Sequence, residues 1–111
     1  MFEIKIPEKG KILQVAKNDF KTVMTWPEAN EACFNLGDGW RLPSKIELEA
    51  IHKELHQKGI GNFKNNKYWS NEEDIESFND YVAWDFNFGD GNFCSNTANG
   101  CAFYVRAVRT K

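Results

Sequence analysis

Trp40-Arg41-Leu42-Pro43-Ser44-Lys45-Ile46-Glu47-Leu48 is the stretch that decides the fold. An extended apolar segment runs up to Pro43, and a helix starts at Ser44. Ser44 and Glu47 have the spacing of a capping box, in which each side chain satisfies a backbone N–H at the helix start. Trp40 and Leu42 alternate with Arg41, which predicts that the pair faces a core and Arg41 the other side. Downstream, Leu48, Ile51 and Leu55 repeat at helical spacing, and Gly59 or Gly61 ends the helix.

Upstream, Thr25-Trp26-Pro27-Glu28 is a second capping box, with Pro tolerated in the first turn. Trp26, Ala29, Cys33 and Leu36 fall on one buried stripe, and Gly37 supplies the stop. Nearer the start, Phe2, Ile4 and Ile6 alternate with Glu3 and Lys5 as a half-buried strand. Pro7-Glu8-Lys9-Gly10 turns the chain into a second strand over 11–16, so the chain opens with a hairpin. Lys17-Asn18-Asp19 is a polar turn, and 21–24 a short extended piece.

After the second helix, residues 60–67 form a loop rich in Gly, Asn and Lys. Tyr68-Trp69 predicts a short strand, and Ser70-Asn71-Glu72-Glu73 a third capping box opening a single turn. Residues 81–86 alternate as a strand, and Gly89-Asp90-Gly91-Asn92 is a hairpin signal before Phe93. Residues 100–109 close the chain as a strand, with Phe103, Val105 and Ala107 on one face and Tyr104, Arg106 and Val108 on the other. This order predicts an α+β domain with two helices packed on a small, mainly antiparallel sheet. At 111 residues the expectation is one domain over 1–111, large enough for a core without staples.

Net charge is −2, so no global basic field exists to hold nucleic acid. The charges are unevenly placed. Between Tyr68 and Val105 there is no Lys or Arg, while Glu72, Glu73, Asp74, Glu76, Asp80, Asp85 and Asp90 all lie there. That half repels phosphate, sulfate and anionic lipid; a neutral sugar, a cation or a basic partner surface suits it better. The start, Met1 to Ile6, has no apolar stretch of the secretory kind, and no run is long enough to span a bilayer. Cys94 and Cys101 bracket a loop that a disulfide could close in an oxidising compartment; in the cytosol they would be two thiols. Zinc is not expected without four ligands in tight pairs. Cys33 reads as a small buried residue.

Four segments together resemble the bacterial family of the collagen-like adhesin C-terminal domain (Lcl C-terminal), related to the Fibrobacter major paralogous domain. Met24-Thr25-Trp26-Pro27-Glu28-Ala29 with Ala32-Cys33 looks like the family's first helix. Leu36-Gly37-Asp38-Gly39-Trp40-Arg41-Leu42-Pro43-Ser44 with Glu47-Leu48 is its most specific signature. Tyr68-Trp69-Ser70 is similar to its short central strand, and Val105-Arg106-Ala107-Val108-Arg109 to its closing strand. The resemblance implies a C-type-lectin-like fold: two helices, a small sheet joining the chain ends, and a long irregular loop region carrying recognition. It also implies a surface or secreted setting, adhesion and glycan binding. The acidic loop half departs from any preference for sulfated glycans.

Within residues 78–99, Tyr81, Trp84, Phe86, Phe88 and Phe93 are mixed with Asn79, Asp80, Asp85, Asn87, Asp90, Asn92, Asn96 and Asn99. Aromatic faces with short amides and carboxylates suit a sugar or a protein surface. Equally, the aromatics could be core and the Asn and Asp turn residues; Trp84 is expected in the core either way. Asp85, Asn87, Asp90 and Asn92 are oxygen ligands of the kind calcium takes, with Asp85, Asn87 and Asp90 as the metal candidates, although no EF-hand or lectin-type metal motif is present. His52 and His56, four apart, could share a metal but read more simply as a solvated helix flank. Arg41, Arg106 and Arg109 are expected to pair with acids such as Glu47 or Asp85. No catalytic triad, phosphate loop or nucleotide fingerprint appears. The expectation is therefore a non-catalytic module that holds a glycan or a protein surface through residues 68–100, by way of Asn79, Asp80, Asp85, Asn87, Asp90, Asn92 and Asn96. The alternative is a structural or assembly domain whose aromatics form a homo-oligomer, such as a trimer.

Overall fold

Period-two burial builds the first sheet. The structure, a computed structural model, describes residues 1–6, 10–76 and 81–111. Strands β1 (Phe2–Ile6) and β2 (Lys11–Val15) pair antiparallel with Ile4 opposite Leu13. Gly10, at φ +58°, leads into β2; Pro7, Glu8 and Lys9, the rest of the predicted turn, lie outside the described residues. Strand β6 (Val108–Thr110) adds to the free edge of β2, with Val15 opposite Val108. The sheet order is β1-β2-β6, so both ends of the chain meet in one sheet, as expected.

Helix α1 (Trp26–Asn35) starts with the Thr25 N–H donating to Glu28 Oε1 at 2.9 Å. Trp26, Ala29 and Cys33 are buried as predicted. Leu36 is not; it is 49% exposed. The reason is local: the Leu36 and Gly37 N–H groups bond to Cys33 and Phe34 carbonyls three residues back. That tighter closure rotates Leu36 off the 3.6-residue stripe. Helix α2 (Lys45–Glu54) carries the full capping box, with the Glu47 N–H on Ser44 Oγ at 3.2 Å and the Ser44 N–H on Glu47 Oε1 at 2.8 Å. Arg41 adds a two-pronged pair to the same carboxylate at 2.7 and 2.9 Å. Burial alone would raise the pKa of Glu47; the bonds from Arg41 and Ser44 outweigh it and hold the carboxyl below its usual range. A 3₁₀ turn at His56–Lys58 and left-handed Gly59 (φ 72°) stop the helix.

The second half departs from expectation. Instead of a long irregular loop region, most of it is a sheet: β3 (Lys67–Glu73), β4 (Val82–Asn87) and β5 (Asn92–Thr97), in that order and antiparallel. The third capping box does not open a helix. Ser70 Oγ accepts the Glu72 N–H at 3.0 Å inside an irregularity of β3, after which Glu73 pairs with Ala83. The closing strand is regular only at β6; before it, Phe103 bridges Met24 and Tyr104 bridges Tyr68. Residues 103–108 thus run between the two sheets with both faces used. Val105 and Ala107 join Trp26, Ala29, Cys33, Leu42, Trp69 and Ala83 under α1, while Val108 joins Ile4, Leu13, Leu48, Ile51, Tyr68 and Phe86 around α2. The predicted alternation of faces holds although the strand does not.

Arg106 lies inside this seam, 1% exposed. Its Nε bonds Asp19 at 2.8 Å, and its two Nη groups bond the carbonyls of Ala16 at 3.1 Å and Gly61 at 2.8 Å. Among the described residues, no helix is long and apolar enough to cross a membrane.

Candidate functional site

Strand register places most of the predicted site residues on one face. Lys67 is opposite Asn87, and Trp69 opposite Asp85. Across the other edge of β4, Ala83 faces Asn96, Asp85 faces Cys94, and Asn87 faces Asn92. Directly opposed residues point the same way. Lys67, Trp69, Ala83, Asp85, Asn87, Asn92, Cys94 and Asn96 therefore share the face of the second sheet that is turned away from α2. Asn79 and Asp80 lie outside the described residues.

The face grades from buried to open. Trp69 and Asp85 are fully covered; Lys67, Asn87 and Asn96 are half-buried; Asn92 and Cys94 are exposed. Phe103 roofs the buried end, its ring 4.6 Å from that of Trp69 and 5.4 Å from the ammonium of Lys67. The Asn96 amide donates to Asp85 Oδ2. Asp85 Oδ1 is buried with no partner. Desolvation pushes the Asp85 pKa up; the Asn96 hydrogen bond and the charge of Lys67 pull the other way without cancelling it. Asp85 thus holds the side chain of Asn96, and among the described residues it has no arginine partner. The predicted Arg pairs resolve as Arg41 with Glu47 and Arg106 with Asp19. Arg109 bonds Gln14 and lies 4.6 Å over the ring of Trp40.

Asn87 and Asp90 also serve the hairpin. Asn87 Oδ1 accepts the Gly89 N–H at 2.7 Å and Asp90 Oδ1 the Asn92 N–H at 2.9 Å. Among the described residues, no group of three or more His, Cys, Asp and Glu is arranged to hold a metal. Cys33, Cys94 and Cys101 are free thiols, and burial pushes Cys33 up to about 12.

Two expectations about neighbouring residues fail. Trp84 is half-buried, not core: β4 turns it to the face of Phe86, where Lys45, the first residue of α2, covers it with its ammonium 3.8 Å from the ring centre. His52 and His56 are not a solvated flank; both are half-buried. Their rings are 5.6 Å apart, His52 packs on Phe86 and Phe88, and His56 packs on Phe88 and Phe63. The residues missed are Lys67, which reaches the face from β3, and Phe103, which reaches it from the segment before β6. Period-two spacing from Lys67 to Trp69 was the available signal for the first.

The class defined by these observations is a small α+β domain with two helices and two antiparallel three-stranded sheets. The chain belongs to the Lcl C-terminal domain family, whose match extends over residues 10–109. Among solved structures, one chain in the complex of a mutant von Willebrand factor A1 domain with botrocetin is similar in fold. The TM-score is 0.61 at 14% identity, covering 93% of this chain and 92% of that one. A search of curated proteins found no match.

Proposed function

We propose that this chain is a non-catalytic binding module of C-type-lectin-like architecture, and that the polar face of β3, β4 and β5 takes a neutral glycan. The joined chain ends, the two helices and the family resemblance support the architectural part of this reading. The recognition part rests on one observation: Asn87, Asn92 and Asn96 share a sheet face, with Asn96 aimed by the buried Asp85. Carboxamides offer donors and acceptors together, which is what sugar hydroxyls require. Phe103 and the stem of Lys67 add apolar surface at the rim. The acid-rich stretch around this sheet disfavours sulfated chains.

A glycan array tests this, with wild type compared against an Asn92→Ala/Asn96→Ala variant, each with and without calcium. Binding of neutral glycans by wild type, lost in the variant and indifferent to calcium, supports the reading. An identical set of ligands for both proteins, or none for wild type, defeats it. An assembly domain is the second reading, favoured by Phe34 and Tyr81 standing 78% and 38% exposed. It requires a stable homo-oligomer in which those rings are shielded.

A further inference from the structure

Helix α1 leaves Phe34 uncovered, and an exposed apolar residue stands just outside each of its ends. Phe34 is 78% exposed, and Leu36 and Val23 nearly half. Single exposed apolar residues are ordinary; Phe34 and Val23 differ in that each lines a groove beside the helix. Two grooves flank the helix. One, of about 570 Å³, lies between Phe34 and the Trp40–Leu42 segment. The other, of about 450 Å³, lies toward Val23 and Met24. Glu31 lines both, so it stands on the ridge between them.

The charge around this ridge has one sign. From Thr22 to Trp40 the sequence carries Glu28, Glu31 and Asp38 and no Lys, Arg or His. Arg41, at the far wall, is already held by both oxygens of Glu47. Among the described residues, no ion pair engages Glu31. An apolar ridge with an unpaired carboxylate at its centre complements apolar side chains flanked by cations.

We propose that α1 is a docking surface for a partner polypeptide in which leucine-like or aromatic side chains alternate with Lys or Arg. The apolar groups fill the two grooves, one against Phe34 and one against Val23, and a cation meets Glu31 on the ridge between them. This surface is separate from the polar sheet face, and its test does not depend on glycan binding.

The test is a random-peptide display library selected on the wild-type chain, with Phe34→Ser and Glu31→Lys as comparisons. Both residues are exposed, so both variants are expected to keep the wild-type circular dichroism spectrum. Enrichment of sequences pairing apolar side chains with Lys or Arg is expected. A peptide resynthesised from the enriched set should weaken as salt rises and lose at least about tenfold in affinity in each variant. Enrichment of acidic peptides, no enrichment, or binding unchanged in both variants overturns the proposal. Concentration-dependent self-association in analytical ultracentrifugation, abolished by Phe34→Ser, also overturns it, because the occupant is then a second copy of the chain.

Discussion

Arg106 joins three distant parts of the sequence through a single side chain. It bonds Asp19, Ala16 and Gly61 and lies 3.9 Å over the ring of Phe63. Asp19 in turn accepts the Tyr68 hydroxyl at 2.7 Å, and burial pushes the Tyr68 pKa well up. Arg106→Met strands a buried carboxylate and two carbonyls, so the expected loss is about 3–5 kcal/mol, read from the urea midpoint. Arg106→Lys should recover little, since one ammonium cannot serve three directions. Asp85 behaves in the opposite sense. Its pKa is raised by burial, so the folded state favours the neutral acid, and stability falls as pH rises through that raised value. Asp85→Asn keeps an acceptor for Asn96 and removes the charge. The variant should be more stable than wild type at neutral pH, by about 1 kcal/mol, and the difference should close in acid, as denaturation at two pH values would show.

At the level of elements, α2 is the best specified part of the chain. Its box closes at both Ser44 and Glu47, and Ser44→Ala should cost about 1 kcal/mol in thermal or chemical unfolding. The helix also carries a proton-sensitive contact. His52 is held below its usual pKa by burial and by the neighbouring charge of His56, against a hydrogen bond to the Phe88 backbone. The unfolded chain therefore binds the proton more readily. Stability is complete above the ordinary histidine pKa and declines as pH falls through the lowered one. Thermal midpoints between about pH 7 and about pH 5 should drop more steeply for wild type than for His52→Gln. Both helices, the opening hairpin and the β4–β5 hairpin were legible because short-range rules create them. Ser70 to Glu73 was misread because a serine that bonds the N–H two residues on gives the same signature in a capping box and in a strand irregularity. Trp84 was misread because alternation assigns a face but not the side chain that covers it, here the charged first residue of α2 rather than an apolar one. On the candidate face, the sequence marked Asp85, Asn87, Asn92 and Asn96 by composition alone. That Asp85 supports Asn96 from beneath needed the register between strands, which no local pattern encodes.

At the scale of the whole molecule, two cores share one wall. Residues 103–108 contribute alternate side chains to the α1 core and the α2 core, so neither can loosen without exposing the other. The first sheet has a mechanical consequence. β1 and β6 flank β2, and each is antiparallel to it, so β1 and β6 run in the same direction. Phe2 and Val108, the first residues of these strands, both stand level with Val15. A pull on the start of β1 and the end of β6 therefore acts along the strands in opposite senses. The ladders on both sides of β2 are loaded in shear, with many bonds strained together, rather than peeled apart one at a time. A domain pulled through these two strands would hold under tension without any load crossing the second sheet.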